Sequence, residues 1–132
     1  MNIKEYYNMA IKVADEVLKD PMNSVSGILK GKLGYEKGIK GFFSDPWNLL
    51  LITQPLGLAG RMLYKYMKNK ERQRMEMEMM KRTIIAKQQA IIKKMEEENL
   101  QNEEQKKNMQ ETIEFLQETL NRIEQAQKAN KK

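Results

Sequence analysis

Cysteine and histidine are both absent from the 132 residues of the chain. Without cysteine there is neither a disulfide framework nor a thiolate metal site, and without histidine the commonest general base and a common metal ligand are missing. The acidic residues within 96–104 lack the spaced Asp, Asn and Gly loop that binds calcium. These absences predict a protein that is not an enzyme and that needs no cofactor or metal.

Glycine and proline are absent from the C-terminal half, residues 61–132. This half consists largely of Met, Glu, Gln, Lys, Arg, Leu and Ile, most of which have good helix propensity. We therefore predict a long helix here, and such a helix is stable in water only when a partner covers its apolar stripe. No segment shows the sustained two-residue alternation of a half-buried strand, so the predicted fold class is all-α.

The chain divides into three regions by composition. Residues 1–20 are predicted to form an amphipathic helix, and residues 21–66 a Gly-rich, basic and apolar region for packing or docking. Residues 67–132 are predicted to form a coiled coil with a polar, basic tail. The expected architecture is thus a small helical N-terminal head followed by a long coiled-coil helix.

The first predicted helix spans residues 3–18, and Asp20-Pro21 is expected to end it because the residue before proline avoids the α region. Its apolar residues recur at the i, i+3, i+4, i+7 spacing of one helical face; they are Ile3, Tyr6, Tyr7, Ala10, Val13, Ala14, Val17 and Leu18. The same stretch lacks the apolar core of a secretory signal, so secretion by that route is not expected.

Two apolar seams run through the C-terminal half. The first consists of Met77, Ile84, Ile91 and Met95, and the second of Met109, Ile113, Leu116, Leu120 and Ile123. Leu100 is the single apolar aliphatic residue in 96–108, and the two seams do not share one heptad register, which predicts a bend or hairpin near 96–108. We expect these nine side chains to drive oligomerisation, so the chain is predicted to be a homo-oligomer.

Five glycines follow the first helix at intervals of four, three, four and three residues; they are Gly27, Gly31, Gly34, Gly38 and Gly41. In a continuous helix they would share one face and allow close packing of another backbone. Against this, each interior glycine costs about 1 kcal/mol relative to alanine. A flexible basic loop is the alternative, and the sequence leaves both interpretations open.

Residues 46–60 carry no charge, yet they fall short of the ~20 residues that span a bilayer, and Pro55 interrupts them. Aromatic and cationic residues lie on both sides of this run, a pattern typical of a membrane interface and also of a helical core or subunit contact. The candidate residues for docking to a membrane or a protein partner are Phe42, Phe43, Trp47, Leu50 and Leu51.

Positive charge is concentrated in the middle of the chain, between acidic ends, within a total of +6. This layout favours an anionic partner such as nucleic acid, anionic lipid or an acidic protein segment. The basic residues of the long helix spread around its circumference, which a solvated surface explains more simply; they are Arg72, Arg74, Lys81, Arg82, Lys87, Lys93 and Lys94.

Methionine is abundant, with eleven in the chain, four of them at Met75, Met77, Met79 and Met80. Flexible thioethers make adaptable binding surfaces. They are also good helix formers, and packing within a coiled coil is the favoured interpretation.

A Gly-rich, uncharged middle joined to a charged coiled coil resembles several classes of small assembly proteins, including virion-type and scaffold-type components. The first hypothesis is therefore a non-enzymatic structural or assembly protein, cytoplasmic or within a macromolecular assembly, that docks to other protein subunits. The alternatives are a peripheral membrane protein inserting residues 28–67 into an anionic bilayer, and a nucleic-acid-binding protein that uses the basic centre.

Overall fold

The computed structural model describes residues 3–43, 60–98 and 102–129, and over 60–70 the description covers the backbone alone. Five helices follow one another: α1 Ile3–Lys19, α2 Val25–Gly31, α3 Ile39–Phe43, α4 Gly60–Glu97 and α5 Glu103–Ala129. The described residues contain no strand, and the predicted all-α fold is confirmed. Trp47, Leu50 and Leu51 lie outside the described residues.

Helices α4 and α5 form an antiparallel hairpin. Near the end of α5, Gln127 accepts a hydrogen bond of 2.8 Å from Lys81 Nζ, and further along Gln88 Nε2 donates to the Ile113 carbonyl at 3.2 Å. Helix α4 ends at Glu97 and α5 begins at Glu103, inside the region where the seams change register, so of the predicted bend or hairpin the structure has the hairpin. Asn102 caps α5, because its Oδ1 accepts the backbone N–H of Glu104 at 2.9 Å.

Helix α1 lies parallel to α4 and antiparallel to α5. Lys87 Nζ is 2.6 Å from Asp15 Oδ1, and two turns further along α4 Lys94 Nζ donates to the Leu18 carbonyl at 2.5 Å. The residue numbers rise together on both helices, which fixes the parallel direction. Because α1 also contacts α5, the three helices share one core instead of forming a head separate from a projecting coiled coil.

The end of α1 is held by side chains from three places in the chain. The last carbonyls of a helix have no partner within it; here side chains bond two of them, one of which, the Glu16 carbonyl, also accepts the Asp20 N–H at 3.1 Å. Asn23 Nδ2 donates to the Glu16 carbonyl at 3.1 Å, and Lys94 satisfies Leu18. The buried amide of Asn108 on α5 then donates to the Pro21 carbonyl at 2.9 Å. The predicted end of α1 at Asp20-Pro21 therefore lies where the chain is hydrogen-bonded to both helices of the hairpin.

Helix α2 covers part of α1 and α5, whereas α3 lies near the start of α1, where Phe42 stacks on Tyr6. Ser24 caps α2 by accepting the Gly27 N–H at 3.0 Å, and Lys32 on the following turn pairs with Glu16 of α1 at 2.5 Å. The Lys32 hydrogen bond also lowers the pKa of the Glu16 carboxyl. Val25 and Leu29 are fully buried, so α2 adds its apolar face to the common core.

The five glycines do not share one helical face, because a turn separates α2 from α3. Gly34 and Gly38 in this turn have φ of 75° and 61°, the left-handed region that glycine adopts without strain. The groove interpretation required one continuous helix over this segment, and the structure corresponds instead to a turn between two short helices. At Gly38 a Cβ would lie 2.6 Å from Ser26 Oγ, whereas nothing lies within 4 Å of one at Gly31.

This contrast predicts opposite effects of alanine at two glycines. Gly38→Ala places a side chain in the left-handed region against Ser26 and is expected to destabilise the protein by about 1–2 kcal/mol. Gly31→Ala is expected to be neutral or to stabilise by up to about 1 kcal/mol, because it adds helix propensity in open space. Urea denaturation of both variants checks this, and equal destabilisation would contradict the turn.

The seam residue Leu116 provides a test of the shared core. It is fully buried on α5, so Leu116→Ala is expected to cost about 2–5 kcal/mol in the free energy of unfolding. Glu114→Ala on the exposed face of the same helix is the control and should stay within about 0.5 kcal/mol of wild type. Chemical denaturation at low protein concentration measures both. A Leu116→Ala midpoint equal to that of the control would place the seam outside the core.

Candidate docking surface

The nine predicted oligomerisation residues all lie in or against the core of one chain. Seven are buried, and Met95 and Ile113 are half-buried and packed against the others; the buried ones are Met77, Ile84, Ile91, Met109, Leu116, Leu120 and Ile123. Association through this seam stays a prediction, but the same side chains are already covered by the hairpin and by α1. A docking surface therefore has to be sought on the exposed residues.

Phe42 belongs to the core and is not exposed for docking. It is fully buried, its ring stacks on Tyr6 with centroids 4.1 Å apart, and Phe115 of α5 lies 5.1 Å away. Phe43 is half-buried beside it, and the guanidinium of Arg122 lies 4.9 Å above the centre of its ring. The aromatic pair that the sequence assigned to docking thus fastens α3 to α1 and α5.

The hydroxyl of Tyr6 is buried in this aromatic cluster without a hydrogen-bond partner within the described part of the chain. Burial raises the pKa of Tyr6 far above its ordinary value of 10, since the charged phenolate would lose its hydration there. The positive charge of Arg122 opposes this shift, and the negative charge of Glu118 adds to it. A buried, unpaired hydroxyl is a cost to stability that the surrounding rings offset.

The four lysines of α4 whose side chains the structure describes are all engaged within the chain. Lys87 and Lys94 hold α1, as described above, and Lys93 lies 3.7 Å from Glu97. Lys81 lies 3.0 Å from Glu78 and contacts Gln127 as well. Hydrogen bonds from Gln127 and then Lys81 lower the pKa of the Glu78 carboxyl. Lys81, Lys87 and Lys94 thus hold α4 to its neighbours and are less free for an anionic partner than the sequence indicates, whereas the exposed Lys93–Glu97 pair contributes little.

The methionines of α4 divide between two faces. Met77 and Met80 are buried, whereas Met75 and Met79 are 65% and 66% exposed. At 100° per residue, Met75 and Met79 lie on one line with Arg72 before them and Arg82 after them, at spacings of three, four and three residues. We call these four residues the outer face of α4. The sequence analysis missed this face because it treated the methionines as one group.

The arginines of the outer face are exposed, and Arg72 forms a loose pair with Glu76 on the same helix at 3.7 Å. Arg82 takes part in none of the ion pairs among the described residues. Exposed pairs of this kind contribute little to stability. The outer face therefore offers two guanidinium groups and two thioethers that the fold itself does not need.

Two further classes of site are not found in the described residues. No group of three or more acidic side chains there is placed to hold a metal ion. In the same ranges, no helix has the length and apolar character needed to cross a membrane.

Comparison with known proteins gives no family: no protein-family model matches the chain, and neither does any curated protein or solved structure. Function has to be argued from the geometry of the helices.

The unpaired hydroxyl of Tyr6 leads to a prediction. Tyr6→Phe removes the buried polar atom and keeps the ring, so it is expected to stabilise the protein by about 1 kcal/mol at neutral pH. Because the pKa of Tyr6 is raised in the folded state, the folded wild type binds the phenolic proton more tightly than the unfolded chain does. The stability that this tighter binding contributes is present below about pH 10, the unfolded pKa, and is lost as the pH rises above it.

Urea denaturation at pH 7 and at pH 10.5 measures both effects. The loss of stability between these two pH values should be smaller in Tyr6→Phe than in wild type. Tyr7→Phe, at a half-buried tyrosine on the same helix, is the control for general alkaline effects. A Tyr6→Phe variant less stable than wild type at pH 7 would show that the hydroxyl has a partner.

Proposed function

We propose that this chain is a non-enzymatic structural protein that docks to a larger assembly. We call its helical bundle the body, and we call the first part of α4, residues 60–76, the arm that docks. The single observation that carries the proposal is that α4 continues well beyond α1 and α5, the described helices that pack along it. A helix without a covering partner is a feature that a second molecule can use.

The geometry of the arm follows from the contacts of its neighbours. Gln127, near the end of α5, contacts Glu78 and Lys81, so α5 ends close to the level of residue 78. The pairing of Asp15 with Lys87, 72 residues apart, places the start of α1 near residue 75. Residues 60–76 therefore extend about 25 Å further as helix, at 1.5 Å per residue. Five of the six residues in 71–76 are exposed, which agrees with this extension.

The arm is cationic, because residues 60–76 contain six Lys or Arg and two Glu. Like charges oppose the pairing of two arms side by side, so a partner with acidic groups suits it better than a second copy. Self-association of the chain stays a prediction. The arm lies within the basic middle of the sequence, so this proposal assigns the excess of positive charge there to docking.

The two alternative functions have less support. Insertion of residues 28–67 in a bilayer would have to remove Ile28, Leu29 and Phe42 from the core, where they are buried. Binding to nucleic acid through the basic centre would compete, at Lys87, Lys81 and Lys94, with contacts to Asp15, Glu78 and the Leu18 carbonyl, and would leave the phosphate contacts to the exposed arginines. Both alternatives compete with contacts that stabilise the bundle.

A proline in the arm tests the proposal. Glu71→Pro removes a backbone hydrogen bond and breaks the helix at a cost of about 3 kcal/mol. Since the arm has no described covering helix, the urea midpoint of the body should change little. In extracts of cells that naturally make the protein, wild type is expected in a high-mass complex by size-exclusion chromatography, and Glu71→Pro at its own mass.

Glu71→Ala, which keeps the helix and removes the same carboxylate, is the matched control and should remain in the complex. Two results would contradict the proposal. One is wild type that elutes at its own mass, and the other is Glu71→Pro that stays in the complex as fully as Glu71→Ala.

A further inference from the structure

The outer face of α4 has a defined arrangement of charge and apolar surface. Arg72 and Arg82 stand ten residues apart, about 15 Å along the helix, with Met75 and Met79 between them. Met75 and Met79 are among the most exposed large apolar side chains of the described residues, and Arg72 is 79% exposed. Because these thioethers are exposed to water, they contribute no burial of apolar surface to the stability of the chain. An apolar side chain packed across them would remove its own apolar surface and theirs from water.

A second copy of the same face does not fit. In a parallel pair of helices, Arg72 and Arg82 would each meet the identical arginine. In an antiparallel pair that brings Met75 against Met79 of the other copy, Arg72 would meet Arg82. Both arrangements place guanidinium groups against each other, and like charges in contact oppose association.

The exposed side of α5 on a second copy does not fit either. It presents carboxylates, but its exposed positions are polar throughout and offer no apolar side chain to cover the methionines; they are Glu103, Glu104, Lys107, Gln110, Glu114, Gln117, Asn121, Gln125 and Lys128. The occupant therefore has to supply what this chain lacks, which is an apolar pair set between carboxylates.

Phosphate surfaces are disfavoured by the neighbours of the outer face. A continuous phosphate surface would lie against the exposed carboxylates of Glu71 and Glu76 on either side of the face, whereas discrete carboxylates can be set opposite Arg72 and Arg82 alone. A nucleic acid backbone would also leave the methionines uncovered. Two methionines form a small apolar surface for a bilayer, compared with the broad stripe of an interfacial helix.

We propose that the outer face of α4 binds an acidic amphipathic helix of another protein. Two apolar side chains of that helix, four residues apart, lie on Met75 and Met79. Carboxylates three residues outside them pair with Arg72 and Arg82, and a partner of this spacing would be complementary to the face in both charge and position. This inference rests on the proposed function, because it takes α4 as the docking helix and adds the chemical class of the partner.

The test uses two synthetic, fluorescently labelled helical peptides of equal length. One carries two leucines four residues apart with glutamates three residues outside them on the same face, and the other has lysines in place of those glutamates. Fluorescence anisotropy with the full chain is expected to show binding of the glutamate peptide at least about tenfold tighter than of the lysine peptide, from two ion pairs against two repulsions.

Charge reversal gives the decisive comparison. The double variant Arg72→Glu with Arg82→Glu is expected to reverse the preference, so that the lysine peptide binds more tightly. Arg74→Glu is the matched control, because Arg74 is exposed on the same helix but lies about 100° around it from Met75, and its variant should keep the preference for the glutamate peptide. Urea midpoints equal to wild type would show that all variants are folded.

Several outcomes would overturn the inference. They are equal binding of the two peptides by wild type, no binding of the glutamate peptide, an unchanged preference in the double variant, and tighter binding to phosphatidylserine vesicles or to a DNA duplex than to the glutamate peptide. These are independent of the test of function, since Glu71→Pro is assayed in the native complex. If the peptides do not bind while Glu71→Pro still leaves the complex, the docking role stands and this partner class is wrong.

Discussion

The burial of the α4 seam against the α5 seam is the interaction on which the other contacts depend. Each seam alone is a narrow aliphatic stripe on a highly charged helix, and a stripe of this kind is not stable in water without a partner. The break at 98–102 lets the chain supply that partner itself. Once the hairpin exists, it forms a groove into which α1 fits, and α2 and α3 then pack over α1, with α3 near its start.

This arrangement changes what the long helix is free to do. Side chains that an extended coiled coil would present to other copies are covered inside one chain, and several lysines that a basic surface would present are turned towards α1 and α5. Among the described residues, the surface of α4 that stays accessible to other molecules lies on its first turns, before the level of α1 and α5, and on the side that faces away from the core.

Much of the local structure follows from the sequence. The stripe of α1 is regular over more than four turns, so its helix and its stop at Asp20-Pro21 were predicted to within one residue. The hairpin was predicted because 96–108 is nearly devoid of apolar residues and the seams on either side are out of register. In both cases the signal lies within a short window, where backbone propensity and periodicity decide the outcome.

Other features depend on which element covers which, and the sequence does not contain that information locally. Methionines at 75, 77, 79 and 80 have equal hydrophobicity, and the position of α1 and α5 decides that alternate ones are buried. The glycine spacing suggested a groove because it matches a heptad, but two of the five residues take left-handed φ values that no helix allows. Phe42 looked like a docking residue because its partners Tyr6 and Phe115 are remote in sequence.

The contact between Asn108 and the Pro21 carbonyl has a consequence for the order in which the protein is made. It joins residues 87 positions apart, and the bonds from Lys87 and Lys94 to α1 span 72 and 76. On the ribosome α1 emerges before the two helices that form its groove, by roughly ten seconds at common elongation rates. For that interval the side of α1 that meets the hairpin has not yet received its partners. Closing so long a loop also makes the docking of α1 the slow step compared with formation of the local α4–α5 hairpin. A chain that stops before α5 would leave that apolar side of α1 permanently exposed, so a helix that is synthesised later protects one that is synthesised earlier.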